Sequence, residues 1–229
     1  MKGQAKGADL PRIEKLQRRP RSGRIRVVLN DGRAWSLAEE LVLEAGLHVD
    51  DPVDPATLAE LERRDEPFRA RDAALNLLSY RARSTAELRR RLLQKGFSSA
   101  VVDRCTEEMR EHGYLDDAAF AGAFVRDRLR LRPRGRRRLV AELRDKGVDA
   151  DTAATAVDDA LAETGATEEA LALEAARAWA ARNIGKIQRA RSDPRARAKL
   201  RQNLYAFMAR RGFPPDAVRS ALHAVLDDD

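Results

Sequence analysis

Apolar residues recur three and four positions apart through most of the chain, and three of these segments end alike. Leu88 and Leu92 are followed by Lys95-Gly96, and Leu139 and Leu143 by Lys146-Gly147. Leu204 and Met208 are followed by Arg211-Gly212, with Met for Leu and Arg for Lys. A 3.6-residue period closed by Gly reads as an amphipathic helix with a left-handed C-terminal residue. Each copy precedes another helical segment, Val102 to Met109, Ala153 to Leu161 and Val218 to Leu226. The glycines lie 51 residues apart (96 to 147) and then 65 apart (147 to 212). Self-similarity at such a period is the signature of a repeat architecture. The pattern predicts three units of three helices, nine helices between residues 68 and 226. Their expected bounds are 67–113, 114–164 and 165–229.

Polar punctuation places the helix ends. In the first unit Ala74, Leu75, Leu77 and Leu78 mark one helix. Ser84 and Glu87 form a capping box for the next, and Ser98 caps the third. In the second unit Asp116 is a good N-cap, followed by acidic Asp117 in the first turn. Phe120, Phe124 and Leu131 can share one face of that helix. Asp149 caps the helix after Gly147. The third unit begins near Thr167, and Pro215 opens its last helix. About fourteen extra residues precede Gly212, around Asn183 to Pro194, as a basic loop or lengthened helices.

Before the repeats the period changes. Ile25, Val27 and Leu29 alternate, and Asn30-Asp31-Gly32 supplies a turn, so residues 24–37 read as a β-hairpin. A short helix from Ala38 ends at Gly46. Asp54 caps another, with Pro55 at its favoured first position, running to about Arg64. Two strands alone are marginal in water. This piece is therefore expected to pack on the helical body through Trp35 and the Leu41–Leu47 region. Residues 1–23, rich in Lys, Arg, Gly and Pro, read as a disordered basic tail. It is a solvated extension or, on a sharper reading, an arm that touches phosphates.

Composition narrows the function. Of 229 residues, 43 % are hydrophobic, 5 % aromatic and 35 % charged, a balance that suits small helical modules with thin apolar seams. A formal charge of +7 favours an acidic partner, nucleic acid first and an acidic protein surface second. The single cysteine excludes an internal disulfide and fits a reducing, cytoplasmic setting. Cys105 sits beside apolar positions and reads as buried. No membrane-spanning run or signal peptide is visible. His48, His112 and His223 are scattered without metal-ligand spacing, and no phosphate-binding loop or nucleophile turn occurs. No cofactor, metal or catalytic residue is expected, and Asp116-Asp117 reads as capping.

The chemistry that stands out is Arg130 to Arg138, six arginines in nine residues broken by Pro133 and Gly135. One reading is a solvated helix start paired to nearby acids. However, positive charge at a helix N-terminus opposes the dipole, and few acids lie near it in sequence. The conflict favours a contact surface for phosphates or acidic side chains, with Arg128, Arg132, Arg134, Arg136, Arg137 and Arg138 at its centre. Lys95, Lys146 and Arg211 end their helices, where they serve the dipole or contact a partner. Phe120 and Phe124 read as core residues.

Two sets of residues carry a family resemblance. Arg83-Ser84-Thr85-Ala86-Glu87-Leu88 with Lys95-Gly96-Phe97 resembles the first repeat of the RecX proteins, bacterial regulators of the RecA recombinase. Leu115 to Ala121, then Gly135, then Glu142-Leu143 with Lys146-Gly147-Val148, is similar to the family's most recognisable segment. The resemblance covers roughly residues 68–226 and weakens in the third unit. It implies a mainly α fold, tandem three-helix repeats of helix-turn-helix type in a curved array, with a small N-terminal β-hairpin and helix extension. It further implies a monomer in the groove of the RecA filament on single-stranded DNA, lowering ATP hydrolysis, strand exchange and coprotease activity. Such a regulator acts in recombination, DNA repair and the SOS response and has no chemistry of its own. Weak, non-specific binding to bare single strands is also expected. The alternative is a helix-turn-helix protein acting directly on DNA. No one helix offers Asn or Gln beside Arg for base edges.

Overall fold

A computed structural model describes residues 10–20 and 22–226. Residues 1–9 of the expected tail and the acidic end at Asp227–Asp229 lie outside the described residues. Three strands, β1 (Ile13–Arg19), β2 (Arg24–Leu29) and β3 (Ala34–Ala38), form an antiparallel sheet in that order. Strand is thus not confined to residues 24–37. The disordered tail expected for residues 1–23 is overturned at 13–19, where β1 pairs with β2 from Ile13 opposite Leu29 to Arg19 opposite Arg24. Its sequence hides this: Ile13 and Leu16 are the apolar residues among Glu, Lys, Gln and Arg. Charge on an edge strand discourages further pairing, while Ile13 is buried in the core and Leu16 packs against it. Gly32 makes the hairpin turn with φ +86°.

The helices are α1 (Glu39–Glu44), α2 (Pro55–Tyr80), α3 (Thr85–Gln94), α4 (Ser99–Glu111), α5 (Asp117–Leu131), α6 (Arg136–Asp145) and α7 (Ala150–Thr164), then α8 (Glu168–Arg182), α9 (Ile184–Ala190), α10 (Pro194–Arg210) and α11 (Pro215–Leu226). Two expectations change. The helix expected to stop near Arg64 runs on through Pro67 as one 26-residue element. Proline removes one hydrogen bond and costs about 3 kcal/mol inside a helix. Burial of Leu58 and Leu61 before it, and of Ala70 and Ala74 after it, outweighs that cost. The extra residues of the third unit form α9, so the expected nine helices become ten, α2 to α11.

The chain packs as two units, one running to Arg81 and including Arg89–Met109, the other made of Ala82–Leu88 and the chain from Arg110. In the first, Ile13, Val27, Leu29, Leu37, Leu41, Val42, Val53, Leu58 and Leu61 form a core, with Trp35, Leu47 and Phe68 packed against it. Trp35, Leu41 and Leu47 therefore pack chiefly within the extension and against the start of α2 rather than on the repeats, from which Phe68 joins them. Asp65 of α2, 2 % exposed, accepts from Ala38 N (2.8 Å) and from Arg24 Nη2 (2.5 Å). A buried carboxylate with two such donors is satisfied and ties α2 to the sheet. Ser98 N donates to Glu66 Oε1 at 2.6 Å. Cys105 of α4 is buried, and desolvation pushes its thiol above the ordinary value.

In the second unit one core runs beneath α5 to α8, α10 and α11, including Val125, Leu139, Leu143, Val157, Leu171, Leu204, Met208 and Leu222. The buried face of α5 is Ala121, Val125 and Leu129. Phe120 and Phe124 lie at its margin, and Leu131 is 64 % exposed, so the face expected from Phe120, Phe124 and Leu131 is displaced. Alanines make much of this core, which lets helices approach closely.

The same junction is made twice in this unit. At the start of α3, Ser84 Oγ donates to Lys146 O (2.5 Å), and Thr85 N donates to Asp117 Oδ1 (2.8 Å). At the start of α6, 51 positions on, Gly135 N donates to Arg211 O (2.9 Å), and Arg136 N donates to Glu168 Oε1 (2.5 Å). Each middle helix thus begins under the end of the next middle helix and takes a carboxylate from the first turn of the helix that opens the next module. These bonds satisfy amides that a helix start leaves open. They also explain the repeated glycines. Gly147 (φ +83°) abuts Ala86, and Gly212 (φ +80°) abuts the backbone of Gly135 and Arg138.

Alanine at the three motif glycines separates backbone cost from crowding. Gly96 has φ +90° and open space around it, so Gly96→Ala should cost only about 1–2 kcal/mol for the left-handed conformation. Gly147→Ala overlaps the Ala86 methyl, and Gly212→Ala would bring its Cβ to 2.5 Å from Arg138 N. Both should lose more stability than Gly96→Ala in urea unfolding. Ala86→Gly should restore part of the loss in Gly147→Ala and none in Gly212→Ala.

Candidate nucleic-acid and partner interface

The arginine cluster sits where α5 gives way to α6. Pro133 cannot extend a helix hydrogen-bond ladder, and Gly135, the N-cap of α6, has no side chain to cap with. Against this turn lies the end of α10. Arg211 Nη1 donates to Pro133 O (3.1 Å), and its guanidinium stacks over the Phe207 ring, 4.4 Å from the centroid.

Tertiary structure supplies the acids that local sequence lacks. Glu142 of α6, 8 % exposed, pairs with Arg128 (3.3 Å), Arg138 (2.8 Å) and Arg134. Arg136 forms a two-pronged pair with Asp158 of α7, at 2.6 and 2.7 Å. Its amide meets Glu168, so the dipole conflict at the start of α6 is relieved by a carboxylate from α8. The expectation that few acids neutralise the run is therefore corrected. Arg136 and Arg138 hold structural pairs, while Arg132 and Arg137 are exposed.

Positive charge nevertheless dominates. Burial, then Arg128, Arg138, Arg211 and Arg132, holds the Arg134 guanidinium below the ordinary arginine value. Burial, then Arg182 and Arg132, does the same to Arg211. Arg128, Arg132, Arg134, Arg138, Arg182 and Arg211 thus share one positive field, and Glu142 pairs with three of them, Arg128, Arg134 and Arg138. Like charges held together in partly dry surroundings lower one another's affinity for protons and raise the pull on an anion. Glu168 shows the opposite case. Burial pushes its carboxyl up, and its Oε2 lacks a hydrogen-bond partner.

The remaining expected residues divide. Lys146 lies over the Phe124 ring at 5.3 Å, with Arg128 at 4.7 Å from the same ring. Phe124 is thus both core margin and cation platform. Lys95 is exposed at the end of α3, in the first unit. Asp116 caps α5 through Ala119 N (2.9 Å), whereas Asp117 serves the start of α3. Arg182 was invisible to sequence reasoning, since it lies 50 residues from Arg132 with no local motif. Among the described residues no group of three or more His, Cys, Asp or Glu side chains could hold a metal ion, and no helix is long and apolar enough to cross a membrane.

Because Glu142 gathers three arginines, Glu142→Gln should have two opposed effects. Stability should fall by about 1–3 kcal/mol in urea unfolding, since a buried charge partner is lost beside partly exposed arginines. Heparin, a polyanion probe, should bind more tightly and with a steeper salt dependence as the freed guanidiniums turn outward.

Sequence models of the RecX three-helix domains match the chain in order: the first over residues 70–109, the second over 116–157 and the third over 169–222. A regulatory protein RecX of Pelodictyon phaeoclathratiforme is 36 % identical over 160 residues, covering 68 % of this chain and 91 % of that protein. A regulatory protein RecX of Clostridium botulinum is 25 % identical over 219 residues, covering 95 % and 98 %. The fold is shared with a crystal structure of regulatory protein RecX (TM-score 0.62, 24 % identity, 96 % of this chain and 100 % of that one). It is shared also with RecX from Lactobacillus salivarius (TM-score 0.54, 21 % identity, 71 % and 97 %). With its three three-helix domains matched in order and these relatives aligned along most of their length, the chain belongs to the RecX family of regulatory proteins.

Proposed function

We propose that this protein regulates a RecA-type recombinase by binding the filament that the recombinase forms on single-stranded DNA. The reading is carried by membership of the RecX family, together with an arginine assembly that outnumbers its carboxylate. A filament repeats one subunit surface at a fixed step. Repeated modules carry related surfaces, so several modest contacts to successive subunits combine through effective concentration. Contacts to neighbouring subunits hold them in one arrangement and oppose the motion that accompanies ATP turnover. The shift equals the differential affinity for that arrangement. On bare single strands the protein binds weakly and without sequence preference, through arginine and phosphate.

Substoichiometric protein should slow ATP hydrolysis by recombinase already assembled on single-stranded DNA. Arg132→Glu with Arg137→Glu should weaken that effect while leaving helical content by circular dichroism unchanged. Arg136 and Arg138 are poor choices for this test, because their reversal breaks the pairs with Asp158 and Glu142. If wild type acts only when added before the recombinase, competition for DNA explains the slowing and filament binding is refuted.

A further inference from the structure

The fold builds a groove that no single segment of sequence announces. It lies between α6 and the end of α10 with the start of α11, and encloses about 360 Å³. Its floor is Ala141, Ala209, Phe213, Pro215 and Val218, and Gly212 lets the chain turn beneath it. Its rim is Arg137 and Arg138 of α6, Arg210 of α10 and the ring of Tyr205. Tyr205 is 44 % exposed, a large aromatic face left in water. Arg137 and Arg210 are exposed, and neither makes an ion pair or side-chain hydrogen bond among the described residues. The lining includes no carboxylate.

The groove between α5 and α7 is a useful contrast. It is also lined by small residues, but Asp151, Asp159 and Glu163 stand along it against one arginine, Arg126. A polyanion is repelled there and attracted to the α6–α10 groove. The volume at α6–α10 lies within the range of sites that hold one small ligand, about 300–1,000 Å³. An aromatic face beside cationic side chains suits a unit that carries both a flat ring and a phosphate. Arginine can grip phosphate oxygens with paired donors, and a base stacks on Tyr whatever its identity.

We propose that this groove is a nucleotide site for single-stranded nucleic acid, with one base stacked on Tyr205 and the flanking phosphates held by Arg137 and Arg210. Arg138 is the weaker partner, since Glu142 already holds its Nε. The site deepens the reading that the protein binds bare single strands, and rests on it. It departs from a purely arginine–phosphate contact by adding stacking, brought to the arginines from sixty-eight positions along the chain, Arg137 to Tyr205. Stacking tolerates every base, so no sequence preference results.

The test uses the full chain, without recombinase, and a fluorescent oligothymidylate titrated at several salt concentrations. Tyr205→Ala should weaken binding at least about 5-fold at every salt concentration, leaving the salt slope unchanged. Tyr205→Phe should bind as wild type does. Arg137→Gln and Arg210→Gln should each flatten the slope of log K against log salt by about 0.7. An oligonucleotide carrying 5-iodouracil should cross-link to Tyr205 on irradiation, located by mass spectrometry. Tight binding with Tyr205→Ala unaffected and the cross-link elsewhere overturns this site but leaves bare-strand binding standing. No binding by wild type overturns both. Displacement of the oligonucleotide by polyglutamate at equal charge, with Tyr205→Ala again unaffected, makes the groove a surface for acidic protein and refutes the nucleotide assignment. Regulation of the filament is read separately by ATP hydrolysis, so its outcome does not decide this one.

Discussion

The second unit depends on one close contact made twice: a middle helix ending in glycine over the start of the preceding middle helix. At that point backbone meets backbone. Gly147 abuts Ala86, and Gly212 abuts Gly135 and Arg138, at separations that leave no room for another methyl group. A helix start offers amides without partners, and a helix end offers carbonyls without partners. The junction sets one against the other, with Ser84 donating to Lys146 O and Gly135 to Arg211 O. Asp117 and Glu168 complete it by accepting from the next amide. The polar groups left open where one middle helix starts are closed by the middle helix that ends over it.

That junction also governs charge. A helix opening with three arginines is unfavourable alone, because its dipole points positive charge at positive charge. Here α8 brings Glu168 to the amide and α7 brings Asp158 to Arg136. Glu142 gathers Arg128, Arg134 and Arg138. The fold therefore uses part of the arginine run to hold itself and leaves Arg132 and Arg137 in solvent. Arg182 and Arg211 join the same positive field. The excess is local and one-signed, which is what an electrostatic interface for phosphate or carboxylate requires.

The regulation of a repeating filament proposed above would work through contacts. It needs contacts that differ between filament states, and modules held firmly enough to transmit the difference. The alanine-rich core beneath α5 to α8, α10 and α11 and the doubled junction supply that firmness within the second unit. On the proposed nucleotide site, the exposed arginines and the ring of Tyr205 would supply contacts of low specificity, suited to a ligand whose sequence varies while its backbone does not.

Local pattern alone determined the modules, their caps and their ends. The helix period, Asp116, Asp149, Thr167 and Pro215 act within one turn of where they stand, so they read correctly without tertiary knowledge. Elements whose stability comes from elsewhere were not legible. Strand β1 holds two apolar residues among charges and exists because β2 pairs with it. Helix α2 survives Pro67 because both halves are buried. The face of α5 was misplaced because the large Phe120 and Phe124 were weighed above the small Ala121, which the close packing selects. The repeated glycines were legible as helix stops, but their second demand, space, depends on a partner 61 to 74 residues away, Ala86 for Gly147 and Arg138 for Gly212. The arginine run was legible as charge. Which arginines are paired, which are free, and that Tyr205 stands beside them was decided only by folding, because Coulomb attraction and stacking act through space and the sequence orders residues along a line.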